Sequence, residues 1–364
     1  MLDYTVRPPA ARSKGKRKNA FVRALIAVFP AKGDAVAEMI RKIVFIGAVA
    51  ALVVTGGTLL KDIRGELVQK YVISNRLDKI KDIGSGNLSI DTVNNIVEQK
   101  PYIREDFMGL YAENNDFVGW FNLGEEDKVI DNPVVQSDDN DKYLYTTFDG
   151  QNISSGTLYV DYRCKFDKDG NVPNFMIIYG HCLSSQLMFS KLNRYYYERE
   201  NTDPNTWFTS FYTKYPTVHF DTLKDKENGE YKVFACCLFN TEEQYGEVYN
   251  YLRYGKPFES KEDFNSYICD IMDRSVFKTD VDLTYGDDIL CMSTCYFPFG
   301  MDYENVRLAI FARRVREGES PEVDVSKMER IWTWKGWQQA IDQNLTLYFY
   351  RMWDTSKLLS YEEN

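Results

Sequence analysis

The sequence predicts a mainly β domain, a small barrel or sandwich, with helices before and after it. Three observations predict this. From Phe117 to Ala312 the chain passes through many short β-forming runs separated by Gly, Asp and Asn turns. Before them, Ile43 to Leu60 is an eighteen-residue stretch without a charge. Hydrophobic content of 44%, with 15% aromatic residues, belongs to a chain with a packed core and not to a disordered one. At 364 residues there is room for one to three domains.

In chain order, residues 1–42 hold ten Lys/Arg against three acids, a net of +7, so the remainder must carry −17 to give the chain its −10. An acidic body argues against nucleic acid as a partner, because phosphate binding needs a basic face. Ala20 to Pro30 is apolar but too short to span a bilayer; it suits a membrane surface or a helical extension of the next segment. Ile43–Leu60 is long enough to span, since a spanning helix needs about 17–25 apolar residues. Basic residues precede it, which predicts a cytoplasmic N-terminus and an exterior body. A cleaved signal peptide fits less well, because the apolar run begins some forty residues in and no Ala-x-Ala site closes it.

Residues 61–112 carry helical spacing, interrupted at Gly84-Ser85-Gly86 and at Pro101, and predict a stalk and N-terminal helices. Residues 113–316 carry the β runs, among them Val134-Val135, Thr157–Val160, Met176–Tyr179, Thr217–Phe220 and Tyr231–Phe234. Ser185–Arg194 and Lys261–Arg274 read as inserted helices. Residues 317–364 form a helical extension, with Ile331, Trp334, Trp337 and Ile341 on one pattern. Its apolar stretch Leu345–Trp353 is too short to cross a membrane.

Two of these β runs end in reactive side chains. Ile289–Met292 is an apolar strand closed by Ser293-Thr294-Cys295, and Arg307 opens the next strand twelve residues on. A thiol at a strand end, beside a loop and facing a cation, is a candidate nucleophile, because the thiolate is the reactive form. An acid/base must come from His181 or His219, the chain's two histidines. His181 ends the apolar run that starts at Asn174, behind the turn residue Gly180, whereas His219 reads as an ordinary strand histidine.

Tyr179-Gly180-His181, Met188–Leu192, Ser293-Thr294-Cys295 and Arg307 together resemble the class B sortases. Asp116–Phe121, Asn132–Gln136, Lys142-Tyr143-Leu144 and Ser155–Tyr159 add to the resemblance, which spans roughly residues 110–316 in the family's order. It implies a closed β-barrel of about eight strands and a membrane-anchored cysteine transpeptidase. Such an enzyme cleaves a C-terminal sorting signal of secreted proteins. It then joins the new carboxyl end to an amine of a cell-wall precursor or a pilin lysine, at the membrane of a Gram-positive-type envelope. In that reading Cys295 forms the acyl thioester and His181 is the general acid/base. Arg307 orients the substrate and stabilises the oxyanion, and Thr294 supports it through its side chain or its amide neighbours. No cofactor or metal is implied.

Several features depart from the family pattern. Tyr296 and Phe297 follow Cys295 where many members carry an acid, so that role is missing or moved, with Asp302 and Glu304 as candidates. The insert Tyr195–Thr213 and the C-terminal extension are additional. Seven cysteines leave an odd thiol, no CxxC is present to suggest zinc, and Cys291 and Cys295 stand too far apart along one strand to be joined. Two other readings compete. An L,D-transpeptidase would carry its histidine and cysteine in one late motif, and here they stand 114 residues apart. A non-catalytic scaffold would not need all of Cys295, His181 and Arg307.

Overall fold

A computed structural model describes residues 28–56, 71, 88–124, 126–183, 186–196, 209–224, 229–241, 248–296 and 306–330. The chain forms two compact units, Met1–Val68 and Gln69–Asn364. In the first, a helix of 21 residues runs from Val36 to Gly56 with mean hydropathy 1.9 and little of it buried. It begins ahead of Ile43 because Glu38 and Arg41 pair across one turn and Lys42 pairs with Asp34, so these charges are accommodated at the helix start. Residues 57–60, most of the stalk, and the C-terminal extension from residue 331 onward lie outside the described residues.

The second unit is a closed barrel of eight strands. They are β1 Phe117–Leu123, β2 Ile130–Val135, β3 Leu158–Val160, β4 Phe175–Tyr179, β5 Thr217–Thr222, β6 Glu230–Asn240, β8 Ile289–Tyr296 and β9 Val306–Arg314. Around the wall their order is β1-β2-β3-β4-β8-β9-β6-β5. Two further short strands, β7 Phe277–Lys278 and β10 Glu329–Arg330, pair outside the barrel. The closed mainly β fold predicted from the sequence is therefore what the chain forms.

Strand composition reflects which faces are covered. β5 alternates, with Val218, Phe220 and Thr222 buried and Thr217, His219 and Asp221 between them. β4 and β8 do not alternate, because both of their faces are covered. They pair in parallel, and the helix Lys261–Arg274 packs against β6, its Tyr267 ring also meeting Phe175 of β4 and Phe311 of β9. That helix buries Phe264, Tyr267, Ile268, Ile271 and Met272, one stripe at helical spacing. Ser260 caps it by accepting from the Asp263 amide, a contact worth about 1 kcal/mol. Near the N-terminus, the helices Ile90–Gln99 and Met108–Glu113 feed a second cluster, in which Phe107, Leu110 and Tyr111 pack with Phe117, Trp120 and Phe148.

Ser185–Arg194, expected as an α-helix, is instead a 3-10 segment, Ser190–Tyr195, preceded by a bridge between Cys182 and Met188. Phe189 and Leu192 are drawn into the barrel core and Ser190 Oγ accepts from the Leu183 amide, so tertiary packing overrides the helical pattern. The middle of the Tyr195–Thr213 insert lies outside the described residues.

His219 sits between two carboxylates, Asp221 at 2.9 Å and Glu230 at 3.2 Å. Burial works against its charge, but the hydrogen bonds to these two acids overcome it and lift its pKa from 6.5 to about 9. A folded-state pKa above the unfolded one stabilises the fold fully below about 6.5, and that contribution is lost as pH rises through about 9. Melting temperature is therefore expected to fall across this window. A His219→Gln variant should show a flatter profile there in the same thermal scans.

Candidate active site

The site lies where β4, β8 and β9 run side by side. Cys295 pairs with Arg307 in the antiparallel β8–β9 ladder. Tyr179 pairs with Ser293 in the parallel β4–β8 ladder, and the Gly180 amide donates to the Ser293 carbonyl at 3.2 Å. His181 follows two residues beyond the end of β4, and Cys295 two residues beyond Ser293 on β8. Thiol and guanidinium residues are thus cross-strand neighbours, and the histidine borders the same cavity. All three residues are half-buried and border one cavity of about 430 Å³.

The floor of this cavity is held by hydrogen bonds. Tyr179 donates its hydroxyl to Asp161 at 2.9 Å; Asp161, fully buried, also accepts from Arg163 and Asn140. Burial raises the Asp161 carboxyl, but the Arg163 guanidinium and these donors hold it below its usual value. Tyr251 bonds Ser293 through the two hydroxyls at 2.8 Å and stacks flat on Phe239, at 4.1 Å between rings. Burial pushes the Tyr179 and Tyr251 hydroxyls well above their ordinary range, so both are neutral hydrogen-bonding groups.

His181 has a defined partner. Its Nε2 lies 2.8 Å from the Leu144 carbonyl. A carbonyl only accepts, so Nε2 carries the proton and Nδ1 remains for exchange. Leu144 can offer this oxygen because it lies in a four-residue helix, Lys142–Tyr145, whose carbonyls lack intrahelical partners. The helix is pinned from behind: the Ile153 amide donates to Tyr145 and the Thr157 amide to Tyr143. Gly156, between them at φ 56°, makes this approach possible. A Cβ there would stand 2.2 Å from the Tyr143 carbonyl oxygen and 2.6 Å from that of Leu144. Gly156→Ala is expected to destabilise the fold by at least about 1 kcal/mol. By displacing the Leu144 carbonyl it should also lower peptide turnover by up to roughly 10²-fold. Thermal melts read the first effect and kcat/KM the second.

Thr294 also borders the cavity, but alternation along β8 turns its side chain to the face opposite Cys295. Its hydroxyl is buried, with no hydrogen-bond partner among the described residues. Asp302 and Glu304 lie outside the described residues.

All seven cysteines are free. Burial raises the thiols of Cys236, Cys237 and Cys291 well above their usual value and pushes Cys164 to about 12 and Cys182 to about 11. A larger cavity of about 920 Å³ lies beside His219, Trp120 and Asp131, and no cysteine lines it. Among the described residues, no cluster of His, Cys, Asp or Glu could hold a metal ion. Sequence reasoning missed the Leu144 carbonyl and the wall formed by residues 248–255. A carbonyl has no residue-type signature, and that wall carries no motif.

No family model matches the chain. Over 277 residues the chain is 28% identical to sortase B of Listeria monocytogenes, an alignment covering 74% of this chain and 97% of that protein. At this identity the chain resembles the class B sortases. It is also 27% identical over 198 residues to sortase B of Staphylococcus aureus, covering 54% of this chain and 70% of the relative. Among solved structures, sortase B from B. anthracis aligns with a TM-score of 0.49 at 24% identity, covering 70% of this chain and 99% of that one. The Staphylococcus aureus sortase B–substrate complex aligns with a TM-score of 0.47 at 24% identity, covering 62% and 91%. These alignments support a sortase cysteine transpeptidase.

Proposed function

We propose that this sortase is anchored in a membrane by its N-terminal helix. It cleaves a C-terminal sorting signal of secreted proteins and transfers the acyl part to an amine of a cell-wall precursor or a pilin lysine. The observation that carries this reading is the convergence of His181, Cys295 and Arg307 on one cavity, with Cys295 paired to Arg307. Cys295 attacks the scissile carbonyl as thiolate. Its sulfur bonds the carbon, the carbonyl electrons move onto oxygen, and the bond to the amine breaks as the thioester forms. His181 takes the Cys295 thiol proton at Nδ1, delivers it to the departing amine, then takes one from the incoming amine as that nitrogen bonds the carbonyl carbon and the thioester C–S bond breaks. Arg307 faces the developing negative charge with a rigid, always-charged donor fork. Thr294 supports the same oxygen through its side chain or its amide neighbours.

For anchoring, the helix Val36–Gly56 is about 32 Å long at 1.5 Å per residue, matching a hydrocarbon core of about 30 Å. Its flanking charge favours residues 1–42 in the cytoplasm and the barrel, residues 113–316, outside.

The test is to incubate the detergent-solubilised chain with a panel of quenched sorting peptides, with and without oligoglycine or lysine-bearing acceptors. Acceptor amine should raise turnover and appear in the product. If amine never changes rate or product, the enzyme is a hydrolase and the transfer step is withdrawn.

A further inference from the structure

The two segments that fix the His181 imidazole meet on one buried carboxylate. Asp161 is fully buried. Its Oδ1 accepts from the Arg163 amide at 2.9 Å and from Arg163 Nε at 2.8 Å. Its Oδ2 accepts from Arg163 Nη2 at 2.6 Å, from the Tyr179 hydroxyl at 2.9 Å and from Asn140 Nδ2 at 3.1 Å. The bonds from Arg163 are local in the chain, whereas the other two reach across the fold. Tyr179 ends β4, two residues before His181. Asn140 stands four residues before Leu144, whose carbonyl meets His181 Nε2. The ring and the carbonyl it meets are therefore both tethered, through short pieces of chain, to the same oxygen atom.

Asp161 is itself held. Its amide donates to the Ile177 carbonyl of β4 at 2.9 Å. Gln136 Nε2 donates to the Asp161 carbonyl at 2.9 Å and to that of Cys164 at 2.8 Å. The Tyr162 amide donates to Asn140 Oδ1 at 3.0 Å. A polar network satisfied in this way rigidifies and specifies one arrangement. Stability alone is a poor reason for it, because apolar side chains of similar volume often match or better a buried ion pair. What the network secures is the contact between Leu144 and His181, and with it the tautomer. An acceptor against Nε2 keeps the proton there and leaves Nδ1 for exchange.

We propose that Asp161 is a positioning residue for the acyl-transfer reaction: by holding Tyr179 and Asn140 on one oxygen, it sets the separation of His181 from the Leu144 carbonyl and so fixes the Nε2–H tautomer. This rests on the reading of His181 as the acid/base of the site.

The first measurement needs no substrate. In the full chain in detergent, prepared with isotopically labelled histidine, the nitrogen resonances of the neutral ring report its tautomer. His181→Gln separates the His181 signals from those of His219. Wild type should show Nε2–H alone. Asp161→Asn keeps the shape but cannot accept all of these donors, and it should show both tautomers. Tyr179→Phe removes one tether and leaves the Asp161–Arg163 pair, so it should shift the population the same way by less.

The second measurement is kinetic, with the best-cleaved peptide of the sorting-signal panel and rates expressed per thiol titrated with iodoacetamide. Asp161→Asn should lower kcat by roughly 10–10²-fold and change KM by less than about twofold. The alkaline limb of its kcat/KM profile should move to lower pH, because an acceptor on Nε2 favours the protonated ring. Cys295 and Arg307, its ionisable neighbours on the cavity, are the same in every variant. On an ester, whose leaving alcohol needs less help from an acid, the deficit should shrink. The double variant should be no worse than Asp161→Asn alone, since both changes cut one chain of contacts.

A carboxylate that only supports the fold would lower the melting temperature and leave tautomer, alkaline limb and ester-to-amide ratio as in wild type. That result overturns the proposal, as does a wild-type ring protonated on Nδ1. If Asp161→Asn does not fold, Tyr179→Phe decides, and an unchanged tautomer there overturns the proposal too. If wild type transfers acyl groups and the variants keep its tautomer and rates, this inference alone falls. If wild type cleaves no peptide of the panel while the tautomer still moves with Asp161, the functional reading falls and the hold of Asp161 on the ring stands.

Discussion

A Cys295→Ala variant is expected to lose cleavage and transfer together, by a factor on the order of 10⁴–10⁶. The size of the effect reflects the absence of a substitute among the described thiols. Cys291 shares a face of β8 with Cys295 but stands about 13 Å away at 3.3 Å per residue, and it is fully buried. Cys182 follows His181, but burial pushes its thiol up to about 11, so little of it is thiolate near neutral pH. A peptide bearing a thiol-reactive group should label the wild-type chain once and leave the variant unlabelled. Labelling that survives the substitution would remove Cys295 from its role.

His181→Gln is expected to lower kcat/KM by about 10²–10⁴, the range for loss of a general acid/base. The variant can still reach toward the Leu144 carbonyl through its amide, so the loss reports proton transfer more than a collapsed loop. A second measurement separates the two. With an ester in place of the scissile amide, the leaving alcohol needs less help from an acid than an amine does. The deficit should therefore shrink when the ester is the substrate. An equal deficit on ester and amide would mean that His181 only shapes the groove.

Much of the fold is legible in the sequence because burial leaves a compositional trace. β4 and β8 are continuous apolar runs since both faces are covered, and β5 alternates since one face is not. The helix Lys261–Arg274 shows its cap at Ser260 and its buried stripe at helical spacing, so its existence can be read directly. Ser185–Arg194 defeats that kind of reading because its apolar residues answer to the barrel core and not to a helix face. The charged residue Arg313 shows the same limit. It looks like a surface charge in the sequence, but it is fully buried and paired with Glu319 and Asp282.

Residue types and their order along the chain determined the candidate chemistry of this protein: a thiol and an imidazole at strand ends, an arginine at a strand start, and an apolar helix ahead of them. Only the tertiary structure decided that these three residues border one cavity, that the Leu144 carbonyl lies against the imidazole, and that Tyr254 borders the same cavity on a turn of positive φ. The physical reason is range. Side-chain identity is written residue by residue, whereas strand register, carbonyl direction and turn strain are set by pairings between segments far apart in the chain.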